Sequence, residues 1–135
     1  MIVSRAFDWL MEAKEDLKSA EILMKNGQFH HSCFHAQQAA EKAVKALLLA
    51  YHIAKIGYSI LDLLEEAKNY VNVPDDLYEA AKILDQYYIP PRYPNAFDSG
   101  YPAQYYTKKQ AEEAIMLARR VIDFAEDKIR SRASE

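Results

Sequence analysis

Arg92 lies among prolines in the run IPPRYPNAF. A guanidinium is planar, permanently charged and forked, so it suits two-point binding of a phosphate or carboxylate. Prolines fix φ and stiffen the backbone that carries it. Six of the ten tyrosines fall between Tyr87 and Tyr106. Tyrosine rings can stack on bases and their hydroxyls can donate to phosphate, so Tyr88 and Tyr93 join Arg92 as ligand-binding candidates. In the alternative reading the aromatics pack the loop onto the rest of the protein, and Arg92 pairs with Asp85 or Glu41. The sequence leaves both readings open.

A second set of polar residues follows helical spacing. His31, His35, Gln38, Lys42 and Lys45 recur every three or four positions and so share one face of a helix. His35, Gln38, Lys42 and Lys45 are further ligand-binding candidates. If the proline-rich loop folds over that stripe, Gln38, Lys42 and Arg92 line one positive pocket. Otherwise the lysines are solvated surface, the usual fate of lysine. His31 and His35 have metal-ligand spacing. No glutamate follows His31, however, and no histidine has a glutamate three residues before it, so the zinc-protease and di-iron bundle patterns are absent. No metal or cofactor is expected. Three glycines and no GxGxxG or GxxxxGK[ST] run leave no phosphate-cradling loop.

These residues need helices to position them. Phe7, Leu10, Ala13, Leu17, Ala20 and Met24 predict an amphipathic helix from Ser4 to Asn26, with Ser4 as cap and Gly27 as the left-handed residue at its end. Residues Phe29 to His52 are apolar around most of their circumference, which predicts a central helix. Ser59 opens a third helix with Ile60, Leu61, Leu64 and Ala67 inside. A fourth runs from Asp75 to Tyr88 with Leu77, Ala81, Leu84 and Tyr88 on one face. The segment to Tyr106 then holds four of the five prolines and cannot be helix throughout. Long loops inside compact domains are uncommon and often functional. Thr107 and Gln110 form a capping box for the last helix, whose inner face is Ala111, Ala114, Ala118, Val121, Ile122 and Ala125. The expectation is an all-α, five-helix up-and-down bundle with a four-helix core and a long Pro/Tyr-rich loop before the last helix. Residues 1–130 form one domain, and residues 131–135 read as a frayed tail.

A chain of 135 residues is long enough to bury a core without staples. Its net charge of -3 gives no general attraction for nucleic acid, so any such contact must be a local patch. The single cysteine, Cys33, sits among apolar residues and reads as a core side chain. No secretory leader and no apolar run near the ~18 residues of a membrane span is found, so a cytoplasmic protein is expected.

Four blocks in order carry a resemblance: AKEDLKSAEILMKNGQFHHSCFHAQQAAEKAVKALL, GYSILDLLEEA, LDQYYIPPRYPNAF and YPAQYYTKKQAEEAIMLARRVIDF. Together, from Ala13 to Phe124, the chain resembles the HEPN domain family, in the small prokaryotic type often paired with a minimal nucleotidyltransferase. The resemblance implies a five-helix bundle that forms homodimers and associates with nucleotides or RNA. It also implies a toxin–antitoxin-like pairing with a nucleotidyltransferase-like partner. Many members are metal-independent ribonucleases that use an arginine followed by a histidine in a short motif. Here Phe97, Asp98 and Ser99 stand where that histidine would be, and Tyr58 stands where relatives commonly have histidine before the third helix.

The leading expectation is therefore a nucleotide- or RNA-binding module with no catalytic residue assigned. The alternatives are a ribonuclease toxin with a non-standard general base, and a purely structural partner that masks another protein's site.

Overall fold

The computed structural model describes residues 2–135, with side chains from Arg5 onward. It is all-α. The helices are α1 (Ile2–Lys25), α2 (Phe29–Ala50), α3 (Ile60–Ala67), α4 (Asp75–Leu84) and α5 (Lys108–Ala133). The three long helices α1, α2 and α5 pack against one another. α4 lies against α2 and α5 and completes the four-helix core, while α3 leans on α2 and α4. No described helix is long and apolar enough to cross a membrane.

The hydrophobic periodicity explains this packing. Leu10, Ala13, Leu17 and Ala20 of α1 are buried, as are Ala111, Ala114, Ala118, Val121, Ile122 and Ala125 of α5. The alanines of α2, among them Ala36, Ala39, Ala40, Ala43 and Ala46, are fully buried. Small side chains there let helices approach from more than one side, which is how α2 comes to be central. Cys33 is buried beside them, and burial pushes its thiol up to about 12. It is a core residue, not a nucleophile.

The ends of the helices follow local chemistry, with four differences from the sequence reading. α1 already runs from Ile2, so Ser4 lies within its first turn, and the capping role read for the Ser4 side chain falls outside the described residues. Gly27, at φ 77°, ends α1 as expected: Gln28 N donates to Leu23 O, and Gly27 N to Met24 O. α2 stops at Ala50, not His52. His52 itself takes the left-handed conformation at φ 65°, and Ile53 N and His52 N close on Leu48 O and Leu49 O, the same motif without a glycine. α4 stops at Leu84, and Asp85–Tyr87 form a single 3-10 turn where helix was expected to Tyr88. α5 continues to Ala133, with Arg132 Nε donating to Ala50 O, so helix extends through most of the segment read as frayed.

The long loop is not irregular throughout. It folds into two further 3-10 turns, Pro94–Ala96 and Pro102–Gln104, each with proline at its start. Proline suits that position because it has no N–H to leave unpaired. Gly100 joins them at φ 79°, and a Cβ there would collide with the Gln104 side chain.

Candidate functional site

The loop is tied to the bundle at its origin by Asp85. Its carboxylate accepts from Ile60 N at 2.7 Å, Leu61 N at 3.2 Å and the Ser59 hydroxyl at 2.9 Å. Ser59 in turn accepts from Asp62 N, so the open amides of the first turn of α3 are all occupied. Asp85 is thereby committed to a helix terminus and is not an ion-pair partner of Arg92. Glu41 is also committed: it pairs with Lys45 at 2.8 Å and accepts from Gln37 and Gln38. Neither pairing expected in the structural reading of Arg92 forms.

Arg92 is held by aromatic faces. Its Nε donates to Tyr88 O at 2.7 Å. Its guanidinium carbon lies 4.3 Å from the Phe34 ring centroid, 4.6 Å from Tyr88 and 5.2 Å from Tyr93. Tyr88 is itself stacked on Tyr58, with centroids 3.9 Å apart and planes within 5°. The cation is thus fixed in orientation by π faces and one carbonyl. Among the described residues Arg92 forms no ion pair, and its four terminal N–H donors have no protein partner. No buried polar side-chain atom is left unpaired, so those donors face solvent.

The polar stripe of α2 has a different fate. Lys42 pairs with Asp16 of α1, and His35 Nδ1 lies 3.4 Å from the other oxygen of Asp16. Gln38 Nε2 donates to Gln37 Oε1 at 2.8 Å, and Gln37 Nε2 donates to Tyr58 O at 3.1 Å. Burial raises the proton affinity of the Asp16 carboxyl. Hydrogen bonds from His35 and Lys42 more than reverse this, so its pKa lies below the usual carboxylate value. His35, Lys42 and Lys45 therefore serve contacts between and along helices, and no described contact joins them to Arg92. The single positive pocket of Gln38, Lys42 and Arg92 does not form. Gln38 stands one turn beyond Phe34 and is the member of the stripe on the Arg92 side.

Two residues of the site were missed by the sequence reading, Phe34 and Tyr58. Phe34 interrupts the polar stripe at the position between His31 and Gln38, the one aromatic on that face, and that irregularity is its only sequence signal. Tyr58 stands out only as a departure from the family pattern, and its stacking on Tyr88, thirty positions away, has no local signal.

Beyond Tyr88 the loop encloses an aromatic cleft of about 450 Å3. Phe97 is the first of the three positions, with Asp98 and Ser99, where the resemblance puts the motif histidine. It stacks on Tyr105 at 4.4 Å and meets Tyr106 edge-on at 6.4 Å. Burial pushes the hydroxyls of Tyr87 and Tyr106 up to about 12, so both stay protonated at neutral pH.

Comparison with known proteins agrees with this architecture. Residues 6–128 match the HEPN domain family. The crystal structure of TT1696 from Thermus thermophilus superposes with a TM-score of 0.90 at 49% identity, covering 92% of this chain and 98% of that one. ST0689, an archaeal HEPN homologue, gives 0.78 at 38% identity over 92% and 97% of the two chains. The Methanocaldococcus jannaschii protein named "Putative toxin MJ1304" is 28% identical over 128 residues, 88% of this chain and 84% of that one. A match over nearly the whole helical bundle, together with the fold just described, places the chain in the HEPN domain family.

Proposed function

We propose that this HEPN domain binds the phosphate of a nucleotide or RNA strand through Arg92, with Tyr88 and Tyr93 orienting the cation. The observation that carries this reading is the unpaired, solvent-facing edge of a guanidinium whose other faces are occupied by rings. Desolvation of the stacked faces leaves that edge as the route to an anion, and two parallel N–H donors fit a phosphate. The setting we propose is a toxin–antitoxin-like pair with a nucleotidyltransferase-like partner. The name of the Methanocaldococcus jannaschii relative supports the toxin side of that reading.

We further propose that the chain acts as a homodimer. The family resemblance supports this reading, and Met11, Ile22, Ile56 and Met116, 46%, 61%, 91% and 50% exposed, are apolar side chains open to a second copy. Light scattering tests this, and a 15.6 kDa species at micromolar concentration refutes it.

The test of the phosphate site is Arg92→Ala. It is expected to weaken binding of labelled RNA while leaving the melting temperature nearly unchanged. Arg92→Lys should restore part of the binding, because lysine supplies charge without the fork. A large drop in melting temperature with binding intact makes Arg92 structural and refutes the reading.

A further inference from the structure

We infer that the cleft beside Arg92 is a subsite for an unpaired nucleobase, so that the ligand is single-stranded and enters base first. This rests on the reading of Arg92 as the phosphate anchor. Three aromatic pairs line the cleft: Tyr58 on Tyr88, Phe97 on Tyr105, and Tyr87 against Tyr106. The first two are parallel stacks, at 5° and 1°, and Tyr58 and Tyr105 are 43% and 46% exposed. Exposed, preformed ring faces are what base stacking uses, and they favour no particular base. The volume of about 450 Å3 lies within the roughly 300–1,000 Å3 of small-ligand sites.

Polar groups are also present at the cleft. Gln110 accepts on Oε1 from Thr107, and its side chain lines the cleft with Tyr87. Gln86 donates from Nε2 to Lys82 O, which leaves its Oε1 free. These two side chains bring amide groups to the lining, the group type that pairs with the edge of a base. Asp85, the one carboxylate at the cleft, is occupied by α3. The decisive placement is Tyr88. It lines the cleft, and its ring also lies 4.6 Å from the Arg92 guanidinium. Tyr88 carries both the cation and the exposed Tyr58 ring, so one side chain joins the anchor to a stacking surface, which suits a phosphate and its own base. A proline-rich peptide would also find ring faces here, but it would have no use for the cation.

The test compares a fluorescent RNA hexanucleotide with an abasic oligomer of the same length and charge, by anisotropy. The wild type should bind the base-bearing strand about 5- to 100-fold more tightly, the range expected for one stacked base. Tyr105→Leu and Phe97→Leu lie away from the Arg92 cradle. Each should bring that ratio close to one and leave abasic binding unchanged, while Tyr105→Phe keeps the ratio. Arg92→Ala should weaken both strands alike. NMR shifts of the Tyr105 and Phe97 ring signals on adding the hexanucleotide give a readout that needs no variant. Equal binding of the two strands by the wild type, with Arg92→Ala weakening both, overturns the base subsite and leaves the phosphate site standing. Persistence of the ratio in both leucine variants overturns it too, as does displacement of the hexanucleotide from abasic-like affinity only by a proline-rich peptide. If neither strand binds, both readings fall.

Discussion

Replacing Asp85 by alanine should uncouple the loop from the bundle, and the size of the effect can be worked from three hydrogen bonds. The shortest, from Ile60 N at 2.7 Å, is charge-assisted and lies at a fully buried residue. Bonds to a charged acceptor are each worth about 1.5–3 kcal/mol. The Leu61 bond is longer, at 3.2 Å, and the Ser59 hydroxyl can turn to water. Asp85 is half-buried, so solvent recovers part of the loss. The net cost is therefore about 2–4 kcal/mol, above the ~1 kcal/mol of an ordinary helix cap. For 135 residues at ~2.1 cal/mol/K each, the unfolding entropy is about 0.28 kcal/mol/K. The melting temperature should fall by roughly 7–14 °C.

Circular dichroism at 222 nm reads that shift directly. Asp85→Asn keeps one acceptor oxygen and should lose about half as much. Both variants should also bind RNA less tightly, because Tyr58 and Tyr88 flank the two ends of the Asp85 contact. An Asp85→Ala protein melting within 2 °C of wild type refutes the reasoning, since the amides of α3 would then have found water at no cost.

Other expectations follow from the same contacts. The folded-state pKa of Asp16 lies below its ordinary value, so its stabilisation is complete above the unfolded-state pKa, about 3.9, and is lost as pH falls through the folded value. Asp16→Asn should therefore cost about 1–3 kcal/mol at pH 7, and denaturant titrations should show that gap closing below about pH 4. Gly100→Ala should destabilise more than Gly27→Ala in the same assay: both have φ near 78°, but only Gly100 has the Gln104 and Tyr105 side chains against the added methyl. The purified protein, with chelator present, should leave structured and unstructured RNA intact on gels, and robust cleavage lost in both Arg92→Ala and His35→Ala would establish the ribonuclease alternative.

The parts of this fold that could be read in advance are the ones written at short range. The inner faces of α1, α4 and α5 follow from spacings of three and four, and Ser59 and the Thr107–Gln110 box cap their helices as expected. Those signals connect residues within one turn. The site depends on longer connections. Asp85 reaches α3 across 24 to 26 positions, and Lys42 finds Asp16 across 26. Nothing at Asp85 distinguishes a carboxylate that caps a distant helix from one that pairs with a nearby arginine. Likewise Lys42 and Lys45 look like free cations until the helix packing supplies Asp16 and Glu41. Arg92 could be singled out because proline and tyrosine mark it locally, whereas its support, Phe34, is invisible without the fold.

The same commitments that hide the site also shape its chemistry. Cleavage of RNA without metal needs a group to take the 2′-hydroxyl proton and one to protonate the leaving oxygen. Phe97, Asp98 and Ser99 stand where the motif histidine would be, with Phe97 stacked on Tyr105. His35 meets Phe34 edge-on and holds Nδ1 on Asp16, which leaves Nε2 without a described partner. Tyr87 and Tyr106 hold their protons up to about 12, and so does the buried thiol of Cys33. In the proposed function the groups around the cleft attract a phosphate and stack a base, and no imidazole lines the cleft among the described residues. The proposed function separates binding from turnover, because stacking needs only ring faces and a fixed cation. Acid–base catalysis would need an imidazole at Arg92, and no described contact joins His35 of α2 to that side chain.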